Sequence, residues 1–332
     1  GAGGSGAGGG SGGGAKDTAR TYVVLSLFDG MSCGREVIRQ LGVPAKQVKY
    51  FASEIDPHAI AVAQANFPDT IQLGDVRQVR YVPVIADPSQ SYLVGADGVK
   101  HVVGKVHFVI GGSPCQGVSC AGTGTMLEHP ESVLFQEYER LVGACNPDWN
   151  LLENVRHAGF EQYLSPQLAK YGAKLYKLNS DKWASARRAR NYWTNIPFDS
   201  TKPPTPSTIG SPLTMQGVIG NDYEGVWKRQ LSFDRRSNRA VYFYPQLDKM
   251  YCLTKSTRGQ YFPIRTADLV HMDKFNAQPN ITHPELTRFT PAELEMMHGL
   301  TVGYTSAVSE AQAGVMIGNG WTVPVICDLL RA

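Results

Sequence analysis

The sequence has no run of about eighteen consecutive apolar residues and no basic-then-apolar leader, so neither a bilayer span nor a secretory signal is expected, and the protein should be soluble and intracellular. It has no CxxC pair and no Cys/His cluster at zinc spacing: Cys33, Cys115, Cys120, Cys145, Cys252 and Cys327 are scattered along the chain. That excludes a zinc finger or ribbon, predicts no metal site, and suits free thiols in a reducing compartment. It has no internal repeat. It also has few charges, 18% against 42% hydrophobic residues with 15 Tyr and 12 Phe, which excludes a disordered, acidic-tail or collagen-like chain.

What it has in excess is glycine, 35 in 332 residues, ten of them within Gly1 to Ala15 with only Ala and Ser between. Such a stretch behaves as flexible coil and cannot build a core, so residues 1–16 read as a linker or fusion scar through which a partner could be attached. The remaining length has room for about two domains, or one with a large insertion.

After the linker, Thr21 to Phe28 is a β-branched and aromatic run that ends at Asp29-Gly30, and a helix is expected from Gly34 to Leu41. Val48 to Ala52 ends in Ser53-Glu54, Pro57 to Asn66 is helical in character, Ile71 to Leu73 runs into Gly74-Asp75, and Val106 to Ile110 runs into Gly111-Gly112-Ser113-Pro114. A helix over Leu134 to Ala144 and a strand over Trp149 to Leu152, ending at Glu153-Asn154, complete the alternation. Strands alternating with helices predict an α/β fold with a doubly wound, mostly parallel sheet, and each polar cluster falls at a strand's carboxyl end, where such sheets bind ligands. From about Phe198, Pro203, Pro204, Pro206 and Pro212 break the pattern and short aromatic runs such as Ala240 to Tyr244 appear, as in an inserted smaller domain. Helical periodicity returns at Pro291 to His298 and at Val323 to Leu330.

Charge follows the same division. Net charge is +3, but Lys182 to Gln260 holds thirteen Lys/Arg against five acids, an excess of eight, with Tyr and Trp interleaved. This is the footprint of a segment that binds a polyanion.

Three strand ends suggest a nucleotide-type pocket. FDGMSCG, Phe28 to Gly34, puts a Gly-containing turn ahead of a helix amino terminus; Glu54 lies 20 residues beyond Gly34, the offset of an acid that holds ribose hydroxyls; Asp75 is placed to accept from an exocyclic amine. The first turn lacks GxGxxG spacing, which argues against a nicotinamide or flavin dinucleotide. The fourth strand end, GGSPCQG, puts Cys115 after a rigid Pro on a Gly-rich loop, where a thiolate near a helix start would be favoured. Glu153 faces the same cleft from the next strand, and Arg188 and Arg190 would point to one face if their segment is a strand.

At these residues the chain resembles the S-adenosylmethionine-dependent DNA cytosine-5 methyltransferases. The motifs fall in the family's order from Thr21 to Leu330: FDGMSCG, Glu54, GDV at Gly74 to Val76, GGSPCQGVS, ENV at Glu153 to Val155, RxR at Arg188 to Arg190, RFTPAELEMMHGL at Arg288 to Leu300, and GNGWTVPV at Gly318 to Val325. LSLFDGMSCG, GDVRQV, RARNYWTNIP and TKSTRGQYFPI look closest to the animal de novo enzymes. The resemblance implies a class I, Rossmann-like methyltransferase with a catalytic and cofactor-binding domain at 17–197, a target-recognition region at 198–285 and a return to the catalytic domain at 286–332. It implies Cys115, Glu153, Arg188 and Arg190 as catalytic residues. Phe28, Asp29, Gly30, Met31, Cys33, Glu54, Ile55, Asp75, Val76, Gly112, Pro114, Asn319 and Trp321 would bind S-adenosylmethionine, leaving S-adenosylhomocysteine as product. Gln116, Ser119, Arg229, Arg235, Arg236, Lys255 and Arg258 would meet nucleic acid, with the Gln116 to Glu131 loop closing over a flipped base.

Gly320 replaces the polar residue that de novo members carry before the Trp, which predicts looser cofactor contacts. The expected partner is duplex DNA, in nucleus or bacterial cytoplasm, with no membrane and with room for a homo- or hetero-oligomer. Two other readings fit the same motifs: a tRNA cytosine-5 methyltransferase, and a catalytically silent, methyltransferase-like accessory protein.

Overall fold

The computed structural model describes residues 20–114, 134–205 and 289–331, together with the backbone of three strands between 223 and 265. Seven strands form the main sheet: β1 (Tyr22–Leu27), β2 (Val48–Ser53), β3 (Ile71–Gln72), β7 (Phe108–Gly111), β8 (Trp149–Val155), β9 (Lys174–Asn179) and β10 (Ala189–Thr194). Their order is β3-β2-β1-β7-β8-β10-β9, parallel from β3 through β8 and closed by an antiparallel β8-β10-β9 edge. Strand order reverses between β1 and β7, and in open α/β sheets the crevice at that reversal is where ligands sit. This is the class I, Rossmann-like methyltransferase architecture the sequence predicts.

Both faces of the sheet are covered, which is why its central strands read as unbroken apolar runs. Along β1, Val24 joins one core layer with Tyr50 and Ile110, whereas Val23, Leu25 and Leu27 enter the other with Phe51 and Val109. That is the period of two of a strand buried on both sides. The first layer takes α1 (Cys33–Gln40) and the terminal helices α5 (Pro291–His298), α6 (Glu310–Asn319) and α7 (Val323–Leu330); the second takes α3 (Phe135–Cys145) and α4 (Ala158–Ala169). Helix α2 (Pro57–Asn66) starts on an Asp56 cap, and capping boxes at Thr290/Glu293 and Ser309/Gln312 set the starts of α5 and α6. No eighteen residues in a row are apolar. Glu310–Leu330 nevertheless has the length and mean hydropathy to cross a bilayer, and 78% of its most apolar window is buried inside the fold, which accounts for its composition.

The structure departs from expectation in three places. Between β3 and β7 the chain builds a small antiparallel sheet of β4 (Arg80–Val82), β5 (Tyr92–Val94) and β6 (Lys100–Val102). Three-residue strands interrupted by Pro83, Pro88, Gly95 and Gly98 carry too little periodicity to be read in advance. Strand β8 continues through Glu153 to Val155, because β10 pairs Tyr192 with Glu153 and Arg190 with Val155 and so extends the ladder past the predicted end. Arg188 precedes β10, which begins at Ala189, so the condition that Arg188 and Arg190 share one strand is not met.

Beyond Thr205, the described backbone is a three-stranded antiparallel sheet, β12 (Val241–Gln246), β11 (Tyr223–Gln230) and β13 (Tyr261–Arg265), in the order β12-β11-β13. It agrees with the short-stranded character expected there.

Gly34 shows how tightly α1 seats on the sheet. A Cβ at this position would lie 2.4 Å from Ile110 Cδ1 and 2.7 Å from the Tyr50 hydroxyl. Gly34→Ala is therefore expected to destabilise the fold by about 1–3 kcal/mol, the usual cost of overpacking, seen as a lower denaturant midpoint at unchanged slope. A midpoint equal to the parent's would show that α1 moves away freely.

Candidate active site

The turn after β1 is the most constrained backbone in the described chain. Phe28, Gly30 and Ser32 all lie in the left-handed region, with φ of 56°, 57° and 63°. For the two non-glycine residues this costs on the order of 1–2 kcal/mol each, so neighbouring contacts must hold it. Asp29 supplies several of them: its backbone N–H donates to Ser53 O at 3.1 Å, and its carboxylate accepts from the Tyr50 hydroxyl at 2.8 Å and from the Ser32 hydroxyl. Burial pushes the Asp29 carboxyl up to about 6, opposed by hydrogen bonds from Ser26, Ser32 and Tyr50. Tyr304 donates to Met31 O at 2.7 Å and Ser32 O at 3.2 Å from the far side.

Glu54, just past β2, ties this turn to the next. Its Oε2 accepts from Gly30 N at 2.8 Å and its Oε1 from Ile55 N at 2.8 Å and Asp56 N at 2.9 Å. Ile55 is 70% exposed beside it, and a Cβ placed on Gly30 would meet nothing within 4 Å. Open space, a carboxylate and an exposed apolar side chain therefore converge at the ends of β1 and β2.

At β7 the path of the chain is set by crowding. A Cβ on Gly112 would lie 2.8 Å from Trp321 Nε1 and 3.3 Å from Glu153 Oε2. Asn154 Nδ2 clamps the next residue, donating to both the carbonyl and the hydroxyl oxygen of Ser113 at 3.0 Å. Beyond Pro114 lies Cys115, which with Gln116 and Ser119 falls outside the described residues; its position in the sequence ties it directly to this clamped strand end.

Glu153 and Arg190 face each other from β8 and β10, Oε1 to Nε at 3.0 Å, with their side chains only 9% and 12% exposed. A pair this buried gains little net stability because desolvation offsets its attraction, and it is better suited to fixing orientation. Arg188 turns to the other wall of the site, donating to Gly318 O at 3.0 Å and Asn319 O at 3.4 Å. Beneath them is His298, pushed down to about 3 by burial and by the charges of Arg188 and Arg190, and therefore neutral at working pH.

The structure thus groups Phe28, Asp29, Gly30, Glu54 and Ile55 around the ends of β1 and β2 and Gly112, Glu153, Arg190 and Trp321 around the ends of β7 and β8, whereas Met31 is a core side chain, 2% exposed. Several residues have roles other than the expected ones. Asp75 accepts from the side chain and backbone N–H of Arg77, a largely exposed partner that holds its carboxyl below the usual carboxylate range. Val76 is a core side chain, 6% exposed. Cys33 is buried, its thiol pushed up to about 12, and it packs with Met31 against Gly320. A Cβ on Gly320 would lie 2.7 Å from Met31 Cε and 3.3 Å from Cys33 Sγ, so glycine there permits close packing. Gly34 and Gly112 likewise make room for protein atoms, whereas a Cβ on Gly30 would meet nothing within 4 Å. Arg235, Arg236, Lys255 and Arg258 lie outside the described residues, and Arg229 is placed by backbone alone, on β11 opposite Tyr242.

Sequence reasoning missed Tyr50, Ser32, Asn154, Tyr304 and His298. Asn154, Ser32 and His298 had signals, their places in ENV beside Glu153, in FDGMSCG three residues after Asp29 and in RFTPAELEMMHGL. Tyr50 and Tyr304 act across the fold, and no local pattern marks them.

Comparison with known proteins places these features in context. Residues 22–159 match the family model described as C-5 cytosine-specific DNA methylase. The chain is 25% identical over 294 residues to the Type II methyltransferase M.NlaX of Neisseria lactamica, covering 83% of this chain and 85% of that protein. It is 23% identical over 328 residues to Type II methyltransferase M1.ScrFI of Lactococcus lactis subsp. cremoris, 92% of this chain and 76% of the relative. Among solved structures, a Spodoptera frugiperda DNMT2 variant superposes with a TM-score of 0.62 at 19% identity, over 94% of this chain and 99% of that one. The S. pombe Dnmt2 methyltransferase gives a TM-score of 0.59 at 16% identity, over 93% of this chain and 97% of that one. At those identities the structural likeness speaks for the fold.

Proposed function

We propose that this chain is a cytosine-5 methyltransferase, matching the C-5 cytosine-specific DNA methylase model over residues 22–159, and that it methylates carbon-5 of cytosine in duplex DNA through a covalent Cys115 adduct. The observation that carries this reading is the buried Glu153–Arg190 pair beside the clamped Gly112–Pro114 segment that leads into Cys115.

S-adenosylmethionine, when bound, supplies an electrophilic methyl group. The residues at the ends of β1 and β2 suit such a ligand: Glu54 to take ribose hydroxyls on its remaining lone pairs, Phe28 and Ile55 to cover an aromatic ring, and the open space above Gly30 to admit the backbone-facing portion. Trp321, 9% exposed, and the Gly112–Pro114 segment would bound the side nearer the base.

Carbon-5 of cytosine is a poor nucleophile. Cys115 thiolate adds to carbon-6, forming a C–S bond and shifting the electron pair of the 5,6 double bond toward carbon-5 and ring nitrogen 3. Glu153 hydrogen-bonds or protonates nitrogen 3 as that charge develops, and Arg190 fixes Glu153 while holding the cytosine carbonyl. Arg188 holds the Gly318–Asn319 carbonyls and so the approach of Trp321. Once carbon-5 carries the methyl group, its proton leaves to solvent base, the 5,6 double bond re-forms and Cys115 departs as thiolate. The base must leave the duplex stack for this, and the Gln116 to Glu131 loop would close over it. Residues 198–285, which include the basic Lys202 to Gln260 stretch, would read the target, with Arg229, Arg235, Arg236, Lys255 and Arg258 shared between phosphates and base edges.

The test is methyl transfer from S-adenosylmethionine to duplex DNA and to total tRNA in parallel. Transfer to DNA, mapped to cytosine carbon-5, is expected. Transfer to tRNA alone would move the substrate to RNA, and transfer to neither would favour the silent accessory reading.

A further inference from the structure

Tyr50 sits in the middle of β2, 1% exposed and away from every strand end, yet its hydroxyl reaches the turn that follows β1. It donates to Asp29 Oδ1 at 2.8 Å while the Ser32 hydroxyl occupies Oδ2. The space its hydroxyl fills is the space a Cβ on Gly34 would need, 2.7 Å away, so the helix that follows the turn is built around this phenol. The Arg35 guanidinium lies over the Tyr50 ring, 5.5 Å from its centroid, and holds the ring from the helix side. The left-handed residues Phe28, Gly30 and Ser32 bracket Asp29, and the amide of Gly30 in that turn is the one that meets Glu54.

We propose that Tyr50 is a positioning residue for the methyl-donor site: with Ser32 it holds both carboxylate oxygens of Asp29, and through Asp29 it fixes the Phe28–Ser32 turn that the donor must contact. The inference rests on the cofactor reading given above and goes beyond it by assigning roles to Tyr50 and Ser32. In this account Asp29 organises the turn from below, and the ligand meets the backbone that Asp29 holds in place. Without the phenol, the carboxylate of a buried acid loses one of its donors and the strained turn loses one of its restraints.

The experiment compares Tyr50→Phe with Tyr138→Phe, which removes another buried hydroxyl, one whose contact is Val109 O at 3.5 Å in the opposite core layer. Binding of S-adenosylmethionine and S-adenosylhomocysteine is measured by calorimetry. Amide exchange of the peptide covering 28–34 is followed in the ligand-free protein. Tyr50→Phe should weaken both ligands about tenfold and speed exchange in that peptide, whereas Tyr138→Phe should change neither. Equal affinity and equal exchange in a folded Tyr50→Phe protein overturn the proposal. If that variant fails to fold, Ser32→Ala, which removes a second donor to Asp29, is judged by the same two readouts. Parent protein that binds neither ligand would refute the cofactor reading, and the exchange of the 28–34 peptide would still decide whether Tyr50 holds the turn.

Discussion

Replacing Cys115 by Ser should lower methyl transfer by at least about a thousandfold while leaving S-adenosylmethionine affinity within about twofold of the parent. A hydroxyl at this position lacks the thiolate's nucleophilicity, and without addition to carbon-6 the cytosine ring has no electron-rich carbon-5 to offer. Donor binding should survive because the described contacts at the ends of β1 and β2, from Glu54 to Gly30, Ile55 and Asp56, are made without Cys115. Transfer rates with saturating duplex, read alongside calorimetric affinity, separate the two effects. Full activity in Cys115→Ser would falsify the assigned nucleophile, and loss of both activity and binding would make the residue structural.

The second large effect is expected from Glu153→Gln. The amide is the same size and can still accept from Arg190 Nε through its oxygen, so the 3.0 Å contact between β8 and β10 has a geometric substitute. What it loses is the negative charge and the ability to hand a proton to ring nitrogen 3. Loss of general acid or charge-stabilising groups of this kind costs about 10²- to 10⁴-fold in rate. The drop should fall on kcat, with KM for the methyl donor nearly unchanged, since Glu54 and not Glu153 belongs to the donor's side of the crevice. A loss expressed only as a raised KM would place Glu153 in binding and remove it from the chemical step.

The central sheet was legible because its chemistry is local. β1 and β2 are apolar runs that stop at turn residues, Pro57 to Asn66 is the helix the spacing predicts, and Glu54 stands just past β2, where an acid at a strand end should stand. The alternation alone implied the ligand edge of the sheet. What escaped was the set of contacts made across the fold. Asp29 looks in sequence like a ligand residue at the mouth of a turn, but its partners are Tyr50, from the next strand, and Ser32. Asp75 looks like a free acceptor until Arg77 folds back on it. Gly112 looks like a cofactor contact, but a Cβ there would strike Trp321, just as one at Gly34 would strike Ile110 and Tyr50 and one at Gly320 would strike Met31. Spacing along a chain specifies which residues reach a strand end, whereas register and packing decide which side chain fills the space around them. The extension of β8 through Glu153 has the same origin, since it depends on a strand, β10, nearly 40 residues later.

The claim on which everything else depends is the covalent bond between Cys115 and carbon-6 of a cytosine in DNA. It is tested most directly by incubating the protein and S-adenosylmethionine with duplex DNA carrying 5-fluorocytosine, whose carbon-5 cannot release a proton once methylated, and then identifying the linked peptide by mass spectrometry. The account predicts a stable protein–DNA species whose modified residue is Cys115, absent in Cys115→Ser. Methyl transfer to ordinary duplex DNA with no trapped species, or a trapped species linked through any other residue, would contradict it.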